Sequence, residues 1–595
     1  MAPEQIFLLV LLLAVLVLFV WGRWRYDVVA VLALLAATMA GTVPFAEAFA
    51  GFGHPATVTV AAVLIISRGL QNSGAVDLMA RHMLPPISSV PRHLGLLSGV
   101  AGALSAVMNN VGALALLMPA ALRSAAEIKR PPALILMPLS FGSILGGLVT
   151  LIGTPPNIIV AAFRGDVTGT PFTMFDFSPV GGAVAIAGIA FIALFGWRLI
   201  PKPRRTKLSP RELFDIEGYV SEARVVRGTE TVGRTLGEID DEAGAHDAVI
   251  IGLLRRGRRL GPPARREKLR AGDVLVIEAG PEALGAVMAA LHLKSTAARG
   301  KSKKGAFLAG EDISMAEAVV PPRSRIIGQA RAGLRLRRRF AVNLLAVSRQ
   351  GRPLRGRLGS LRFRAGDVLL LEGEAEGLPE AIAALGCLPL AERGLQRGVQ
   401  RLAGLSILVF AAAVAAATAG LISLPVALVA AAAAMVVLGM VPAREIYDSV
   451  DWPVVVLLGA MIPVGQALDA TGTTGLVAGS LVALAAAASP LVVLVIVMVV
   501  TMTLSDLMNN AATAVVMAPV AVQVAQQLGV SPDPFLMAVA VGASCAFLTP
   551  IGHQNNTLIL GPGGYEFGDY WRMGLPLEVL IVIVAVPMVL WVWPL

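Results

Sequence analysis

Seven runs of apolar residues constrain the fold of this chain more than any other feature. They are Ile6–Trp21, Val28–Val43, Val180–Phe195, Leu402–Ile422, Leu424–Val441, Leu491–Thr503 and Leu577–Val592. A helix needs roughly 20 residues to cross the hydrocarbon core of a bilayer, and these runs with their flanks supply that length. Because 56% of the residues are apolar and only 15% are charged, a soluble fold could not bury them. The sequence therefore predicts an α-helical polytopic membrane protein.

The first run is a retained span rather than a secretory signal in this interpretation. No A-x-A-like cleavage site follows it, and the next apolar run begins at once. The two cysteines, Cys387 and Cys545, lie far apart in regions of different composition. They predict neither a disulfide nor a metal cluster.

A polar insert separates two apolar halves, at residues 1–200 and 401–595. The net charge of +10 would suggest nucleic acid in a soluble protein. Here, however, basic residues gather between the halves, at the insert edges Lys202–Arg205 and Arg393–Arg401. Such clustering is typical of the cytoplasmic side of a membrane protein. We therefore expect a multi-pass protein of the inner (plasma) membrane with a cytoplasmic insert and no nucleic-acid partner.

The insert contains an internal repeat. The segment "RAGDVL" at 270–275 recurs at 364–369, an offset of 94 residues, after a basic glycine-containing stretch in each case. Short β-rich runs are predicted around turn residues, and a helix-prone tail follows each copy. Those runs are Ala248–Leu254, Val274–Glu278, Val342–Val347 and Val368–Glu372, and the tails are Pro281–Leu293 and Leu378–Leu385.

This pattern resembles the RCK_C (TrkA-C) domain of potassium-conductance regulators. We expect two tandem α+β domains of this kind, at 205–295 and 305–393. The resemblance implies either a module that senses a small regulatory ligand or a passive assembly domain. Both interpretations stay open, since the many arginines also fit a basic surface facing anionic lipid.

The two apolar halves share the same pair of motifs in the same order. "SAVMNNVGALALLMPA" from Ser105 matches "SDLMNNAATAVVMAPV" from Ser505 at an offset of 400. "TLIGTPPN" from Thr150 matches "TPIGHQNN" from Thr549 at an offset of 399. An unsatisfied amide in apolar surroundings costs several kcal/mol, so these asparagines either join helices or form a site.

The second motif of each half predicts a broken helix. Proline removes a backbone donor and glycine is permissive, so backbone polar groups are freed and must face protein or water. Broken helices at matching positions of two halves are typical of transporter binding sites. There, free carbonyls bind a cation and helix N-termini attract an anion.

The four motifs together resemble the divalent anion/sodium symporter (DASS) family of the ion transporter superfamily. That resemblance implies two inverted repeats, each with a re-entrant helical hairpin, in a homodimer that works by an elevator motion. It also implies sodium-coupled uptake of a small anion, with no organic cofactor. We expect sulfate or a similar oxyanion first and a dicarboxylate next. Neutral amide donors and helix dipoles can bind a compact anion without a fixed cation.

The resemblance also implies the site residues. The family reads Ser-Asn-Thr at each hairpin tip, whereas this chain reads Asn109-Asn110-Val111 and Asn509-Asn510-Ala511. The expected substrate-binding residues are Asn109, Asn110, Thr154, Asn157, Asn509, Asn510, Thr513 and Asn556. The expected sodium ligands are Ser105, Asn110, Gly153, Ser505, Asn510 and Gly552.

Asp506 and His553 are candidate coupling residues. Asp506 is an intramembrane acid with the apolar counterpart Ala106, and such an acid is a functional candidate or the partner of a nearby amide. His553 lies in the second break, where an imidazole can donate to an anion, titrate, or bond structurally.

Three other functions have requirements that can be compared with this sequence. A cation/proton antiporter or an arsenite-type exporter of the same superfamily would make Asp506 central. A cation channel regulated by the insert would need a filter such as T-V-G-Y-G, which does not occur in this sequence. An enzyme is not expected, since the sequence has no G-x-S-x-G elbow, P-loop or metal-binding Cys or His cluster.

Overall fold

The helical bundle and the insert are separate compact units of the chain. The first unit comprises residues 1–206, 393–556 and 567–595, and the second comprises 207–392 and 557–566. The computed structural model describes residues 2–21, 23–74, 88–128, 130–201, 220–245, 248–255, 258–260, 266–278, 281–295, 313–322, 324–334, 336–340, 342–350, 352–354, 361–374, 377–390, 402–476, 479 and 489–595. Both predicted basic edges of the insert lie outside these residues.

The described residues of the first half are mostly helical. Its helices are α1 (Pro3–Trp21), α2 (Tyr26–Met39), α3 (Pro55–Asn72), α4 (Val90–Ser105), α5 (Asn110–Glu127), α6 (Ala133–Gly147), α7 (Pro155–Thr168) and α8 (Ser178–Leu194). Proline stands in the first turn of α3, α4, α7 and α8, where its missing N–H leaves no intrahelical bond unmade. A 3-10 turn, Gly196–Leu199, follows α8.

The insert follows, and the second half then repeats the helix order. In the insert, the helices are α9 (Leu236–Ala245), α10 (Pro281–Ala290), α11 (Arg331–Leu334), α12 (Leu336–Phe340) and α13 (Gly377–Ala384). In the second half they are α14 (Ala403–Thr418), α15 (Leu424–Val437), α16 (Ala443–Ser449), α17 (Trp452–Ala470), α18 (Pro490–Leu507), α19 (Asn510–Leu528), α20 (Pro532–Ser544), α21 (Gln554–Leu560) and α22 (Trp571–Val592).

Packing between the halves is reciprocal. Helix α2 of the first half packs on α17 of the second half. Helix α15 occupies the position of α2 in the second half, and it packs on α3 of the first half. Within the halves, α4 packs on α6 just as α18 packs on α20. Helix α8 packs on its counterpart α22. The halves therefore exchange helices instead of standing as independent bundles.

Five of the described helices are long and apolar enough to cross a membrane: α1, α17, α18, α19 and α22. Five shorter apolar helices accompany them: α2, α6, α8, α14 and α15. The predicted α-helical membrane class is confirmed, and a helix covers most of each predicted apolar run. The inverted orientation of the halves and the re-entrant hairpins stay predictions.

The insert contains two antiparallel sheets with the same strand order. The first is built from β1 (Val220–Val225), β2 (Val249–Arg255), β3 (Arg258–Leu260), β4 (Val274–Glu278) and β5 (Leu293–Ser295), in the order β3-β2-β4-β1-β5. The second is built from β6 (Ile313–Val319), β7 (Asn343–Arg349), β8 (Arg352–Pro353), β9 (Val368–Glu374) and β10 (Leu388–Pro389), in the order β10-β6-β9-β7-β8. When the second order is read in reverse, from β8 to β10, each strand corresponds to the strand at the same place in the first order. A register shift lies at the same place in β2 and β7.

The Gly-Asp turn occurs in both copies of the repeat, and in each copy its aspartate forms a buried ion pair. Asp273 accepts from Arg255 at 3.0 and 2.8 Å, and Asp367 accepts from Arg349 at 2.7 and 2.8 Å. Each aspartate also accepts the backbone N–H three residues before it. These carboxylates raise the pKa of both arginines, which stay charged. The aspartate of the motif therefore holds an arginine of its own domain and does not present its charge to solvent.

Replacing Asp367 with Asn should destabilise the insert. The side chain is 0% exposed, and Arg349 would lose a charged partner that surface water cannot fully replace. We expect a loss of about 3 kcal/mol in the free energy of unfolding of this module. Pulse proteolysis of the full-length protein in urea measures it. The exposed Glu380→Gln substitution should cost less than about 0.5 kcal/mol. Equal effects of the two substitutions would contradict the assigned role of the ion pair.

Gly146→Ala should prevent close packing of α4 on α6. A Cβ at Gly146 would meet the backbone of Gly102, which cannot move aside like a flexible side chain. Gly99 lies on the same helix α4, and a Cβ there meets nothing within 4 Å. We expect Gly146→Ala to abolish the monodisperse peak in size-exclusion chromatography, whereas Gly99→Ala leaves it unchanged. A monodisperse Gly146→Ala protein of unaltered thermal midpoint would show that the helices are not in contact there.

Candidate functional site

The first asparagine of each pair caps a helix. Asn109 Oδ1 accepts the backbone N–H of Val111 at 2.9 Å at the start of α5, and Asn509 Oδ1 accepts that of Ala511 at 3.0 Å at the start of α19. An N-cap of this kind satisfies one of the free N–H groups of a helix start. The oxygens of Asn109 and Asn509 therefore each use one lone pair on the backbone, and their amide nitrogens remain able to donate to a ligand.

A later asparagine holds each helix break in shape. Asn157 Nδ2, in the first turn of α7, donates to the carbonyls of Gly147 and Thr150 at 3.4 and 2.8 Å. Asn556 Nδ2, in the first turn of α21, donates to the carbonyls of Ala546 and Thr549 at 3.0 and 3.1 Å. These acceptors correspond at the same offset of 399 as the asparagines. The amides thus replace the backbone bonds that the broken helices lose.

A threonine joins each break to its Asn-Asn tip. Thr150 Oγ1 donates to the carbonyl of Ala106 at 2.5 Å, and Thr549 Oγ1 donates to that of Asp506 at 2.6 Å. Gly153 and Gly552 lie where the break passes close to other backbone, at Gly147 and Ser505 respectively. The structure therefore brings together the predicted tip and the predicted break within each half.

The two halves meet at Asn110. Its side-chain oxygen lies 2.5 Å from Ser105 Oγ, and its side-chain nitrogen lies 3.2 Å from His553 Nε2 of the second half. Its carbonyl accepts from Ser143 Oγ at 2.8 Å and from Asn555 Nδ2 at 3.3 Å. All five residues are buried. The second break thereby holds the tip of the first half.

His553 determines how the Asn110 amide is oriented. The backbone N–H of Asn555 donates to His553 Nδ1 at 3.0 Å, so a neutral ring carries its proton on Nε2. Two N–H groups would then face each other across the contact with Asn110. Rotating the Asn110 carboxamide by 180° removes this clash. Its oxygen then accepts from the N–H of His553 Nε2, and its nitrogen then faces Ser105 Oγ. His553 therefore acts on the site through Asn110.

Three buried oxygen atoms at the breaks have no hydrogen-bond partner among the described residues. They are Thr154 Oγ1, Asn157 Oδ1 and Asn555 Oδ1. Buried polar atoms are normally satisfied, and an unsatisfied one indicates a water, an ion or a ligand. Neutral hydroxyl and amide oxygens are ligands that hard cations accept. Each of these atoms can therefore serve as a ligand of a cation such as sodium.

Two predicted hydroxyl residues near the second tip donate to backbone carbonyls of the same half. Ser505 Oγ donates to the carbonyl of Ala543 at 2.5 Å, and Thr513 Oγ1 donates to that of Asn509 at 3.2 Å. Asn510 is buried at the start of α19. Their oxygen lone pairs remain open to a cation, whereas the hydroxyl donors are already used. Among the described residues, no side chain of the first half bonds to Asn510 as His553 of the second half bonds to Asn110.

Sequence reasoning missed Ser140, Ser143 and Asn555. Ser140 Oγ donates to Asn556 Oδ1 at 2.9 Å, so it also joins the halves. The signal for the serines was their spacing of three residues in an otherwise apolar helix, which places both on one face. Asn555 stands inside the "HQNN" motif, but its counterpart at an offset of 399 is Pro156, so comparison of the halves passed over it.

Buried polar breaks, helix caps and apolar spans define a polytopic membrane transporter, and comparison with known proteins gives its family. The family model described as "Citrate transporter" (CitMHS) matches residues 16–542 and 485–595. The chain belongs to this family. The predicted DASS-type relationship is thereby confirmed, and the predicted transporter class with it.

Three relatives illustrate the range of similarity. An uncharacterized transporter of Synechocystis is 31% identical over 578 residues, which cover 96% of this chain and 94% of that one. The transporter YfbS of Escherichia coli, also described as uncharacterized, is 31% identical over the whole of both chains. Sodium/sulfate cotransporter 2 of Chlamydomonas reinhardtii is 25% identical over 57% of this chain and 40% of that one.

Replacing His553 with Ala should weaken sodium binding, whereas His553→Gln should restore much of it. Alanine removes the donor that orients Asn110, and the Gln amide nitrogen can take the place of Nε2. One buried hydrogen bond of about 1–3 kcal/mol corresponds to roughly tenfold or more in apparent affinity. The sodium dependence of the thermal midpoint measures it. If all three proteins respond equally to sodium, His553 does not orient the site.

Proposed function

We propose that this transporter is a secondary active symporter that takes up a small divalent anion with sodium. The observation that carries this proposal is the set of unsatisfied buried oxygens, Thr154 Oγ1, Asn157 Oδ1 and Asn555 Oδ1, beside two capped helix starts. The oxygens suit a cation, and the helix starts suit an anion. A site with both features can bind the two ions together.

The helix starts supply the anion-binding part of the proposed site. Helices α5 and α19 each begin at the second asparagine of a pair, and their first turns keep N–H groups that no intrahelical carbonyl accepts. Such N–H groups and the helix dipole favour an anion without a charged side chain. Among the described residues, no arginine or lysine side chain forms a hydrogen bond with a residue of the site. This supports a compact anion over one that requires guanidinium pairing.

Sulfate is the proposed substrate, with a dicarboxylate next. A relative in Chlamydomonas reinhardtii is named a sodium/sulfate cotransporter, which supports both the ion and the anion. The family description names citrate, a larger anion with three carboxylates. Val111 and Ala511, which stand where the DASS pattern has threonine, leave fewer hydroxyl donors for several carboxylates.

The remaining parts of the proposal extend to the whole protein. We place it in the inner (plasma) membrane as a homodimer that moves by an elevator mechanism, with a cytoplasmic insert. The two equivalent sheets of the insert and their Gly-Asp turns support a duplicated RCK_C-like module. In this proposal the module regulates transport through a small ligand or through assembly.

Asn110→Ala should strongly slow sodium-driven uptake in proteoliposomes. Asn110 contacts Ser105, Ser143, His553 and Asn555, so its loss affects both halves of the site. We expect radiolabelled sulfate to accumulate under an inward sodium gradient and Asn110→Ala to reduce the rate at least about tenfold. Asn72→Ala, which removes a contact with Glu445 outside the site, should change the rate less than about twofold.

Sulfate, succinate and citrate are compared in the same assay. Accumulation of citrate alone would overturn the sulfate proposal and leave the symporter proposal intact. If none of the three anions accumulates and sodium changes nothing, the symporter proposal fails.

A further inference from the structure

We propose that a turn of the second sheet of the insert docks on the end of α21 and thereby acts as a brake on transport. The docking turn is Ala365-Gly366, just before β9, and the docked segment is 557–561. Both stretches belong to the same compact unit of the chain. The inference rests on the proposed regulatory role of the insert and names the contact through which the insert acts. It does not depend on which ions are carried.

The docking turn and the docked segment contact each other through their backbones. A Cβ atom at Gly366 would lie 3.0 Å from the carbonyl oxygen of Thr557 and 3.8 Å from Cβ of Leu560. A Cβ atom at Gly561 would overlap the carbonyl oxygen of Gly366 and lie 2.9 Å from Val368 Cγ2. Neither glycine has room for a side chain, and glycine permits such a close approach of two backbones. The sequence therefore accommodates the contact on both sides.

The first sheet of the insert has the same turn without a docked segment. Gly272 corresponds to Gly366 at the offset of 94, and the two have similar positive φ angles of +91° and +83°. Asp273 and Asp367 follow them and form equivalent ion pairs. Gly272 is exposed and a Cβ atom there would meet nothing within 4 Å, whereas Gly366 is buried. The turn itself therefore does not require a partner, and of the two described copies only the second has one.

The sheet holds the docking turn in place. Asp367 follows the turn directly and accepts from Arg349 at 2.7 and 2.8 Å. The backbone N–H of Gly366 donates to the carbonyl of Val320 at 2.8 Å. The next residue, Val368, begins β9. A change in the sheet therefore changes the position of the turn and reaches the docked segment directly.

The docked segment continues the helix that contains candidate site residues of the second break. Helix α21 is seven residues long, or about two turns, and begins with Gln554, Asn555 and Asn556. Asn555 Nδ2 donates to the carbonyl of Asn110, and Asn556 Nδ2 donates to two carbonyls of the break. Thr557 follows Asn556 directly, and no glycine or proline interrupts the helix. A shift of the docked segment therefore moves both asparagines.

The direction of the effect follows from the conformation that the contact stabilises. Docking favours the arrangement in which Asn555 reaches Asn110. A transporter leaves each of its conformations in every cycle, and a contact made in only one of them shifts the equilibrium toward that one. Docking therefore slows the cycle, and an event in the insert that moves the turn away from α21 speeds it.

A reversible disulfide tests the contact in the full-length protein. The 3.8 Å between the Cβ positions of residues 366 and 560 suits a disulfide, whose Cβ atoms lie about 3.8 Å apart. We expect Gly366→Cys/Leu560→Cys to form this bond on oxidation, which protects two thiols from a maleimide label in denaturant. Gly272→Cys/Leu560→Cys, with a cysteine at a similar φ angle, should keep both thiols reactive. A monodisperse Gly366→Cys/Leu560→Cys protein that does not form the bond would overturn the proposal.

Uptake by the same protein in proteoliposomes tests the brake. Closing the disulfide should slow uptake at least about tenfold, and dithiothreitol should restore the rate. Because one protein is measured before and after reduction, misfolding cannot mimic this result. An oxidised protein that transports as fast as the reduced one would show that the contact does not restrain transport.

Gly561→Ala should release the brake without a crosslink. The three atoms nearest to the added methyl group all belong to Gly366 and Val368, whereas a Cβ atom at Gly568 would meet nothing within 4 Å. Neither Gly561 nor Gly568 has a positive φ, so alanine adds no backbone strain at either position. We expect Gly561→Ala to raise the uptake rate about fivefold and Gly568→Ala to leave it unchanged. Equal rates in the two variants would contradict the brake.

Hydrogen exchange makes the test independent of the transported ions. Closing the disulfide should slow amide exchange in residues 546–556, and reduction should restore it. If none of the probed anions is transported, the symporter proposal fails, while this measurement still decides whether docking restrains the break. Unchanged exchange in a protein with a closed disulfide would overturn the docking proposal alone.

Discussion

Two asparagine amides make the rest of this membrane site possible. A helix that breaks inside an apolar bundle exposes carbonyl groups that neither lipid nor apolar side chains can satisfy. Asn157 and Asn556 each donate to two such carbonyls, at equivalent positions of the two halves. The breaks can therefore persist at low free-energy cost, and the threonine bonds to the tips, the contacts at Asn110 and the unsatisfied oxygens all depend on them.

Much of this arrangement could be predicted from the sequence because it repeats. The apolar runs predicted the helices, and the matching motifs predicted which residues would stand at tips and breaks. Asn109 and Asn509 show the limit of this reasoning. The same Asn-Asn pattern occurs whether the first side chain faces a ligand or caps a helix, and only the folded structure distinguishes the two.

The residues that sequence comparison missed are those that break the symmetry. Asn555 has proline as its counterpart, and Ser140 and Ser143 correspond to Val539 and Gly542 at the offset of 399. A comparison of the halves selects what is shared and so passes over these positions.

The exchange of helices between the halves has a consequence for biosynthesis. Helix α2 leaves the ribosome more than 400 residues before α17, the helix on which it packs. At a synthesis rate of about 5–20 residues per second, this delay is on the order of tens of seconds. During that time the first half resides in the bilayer with its partner surfaces open while the insert is being translated. Its assembly must therefore wait for the last third of the chain, and a ribosome that stalls within the insert would leave an incomplete bundle exposed to membrane proteases.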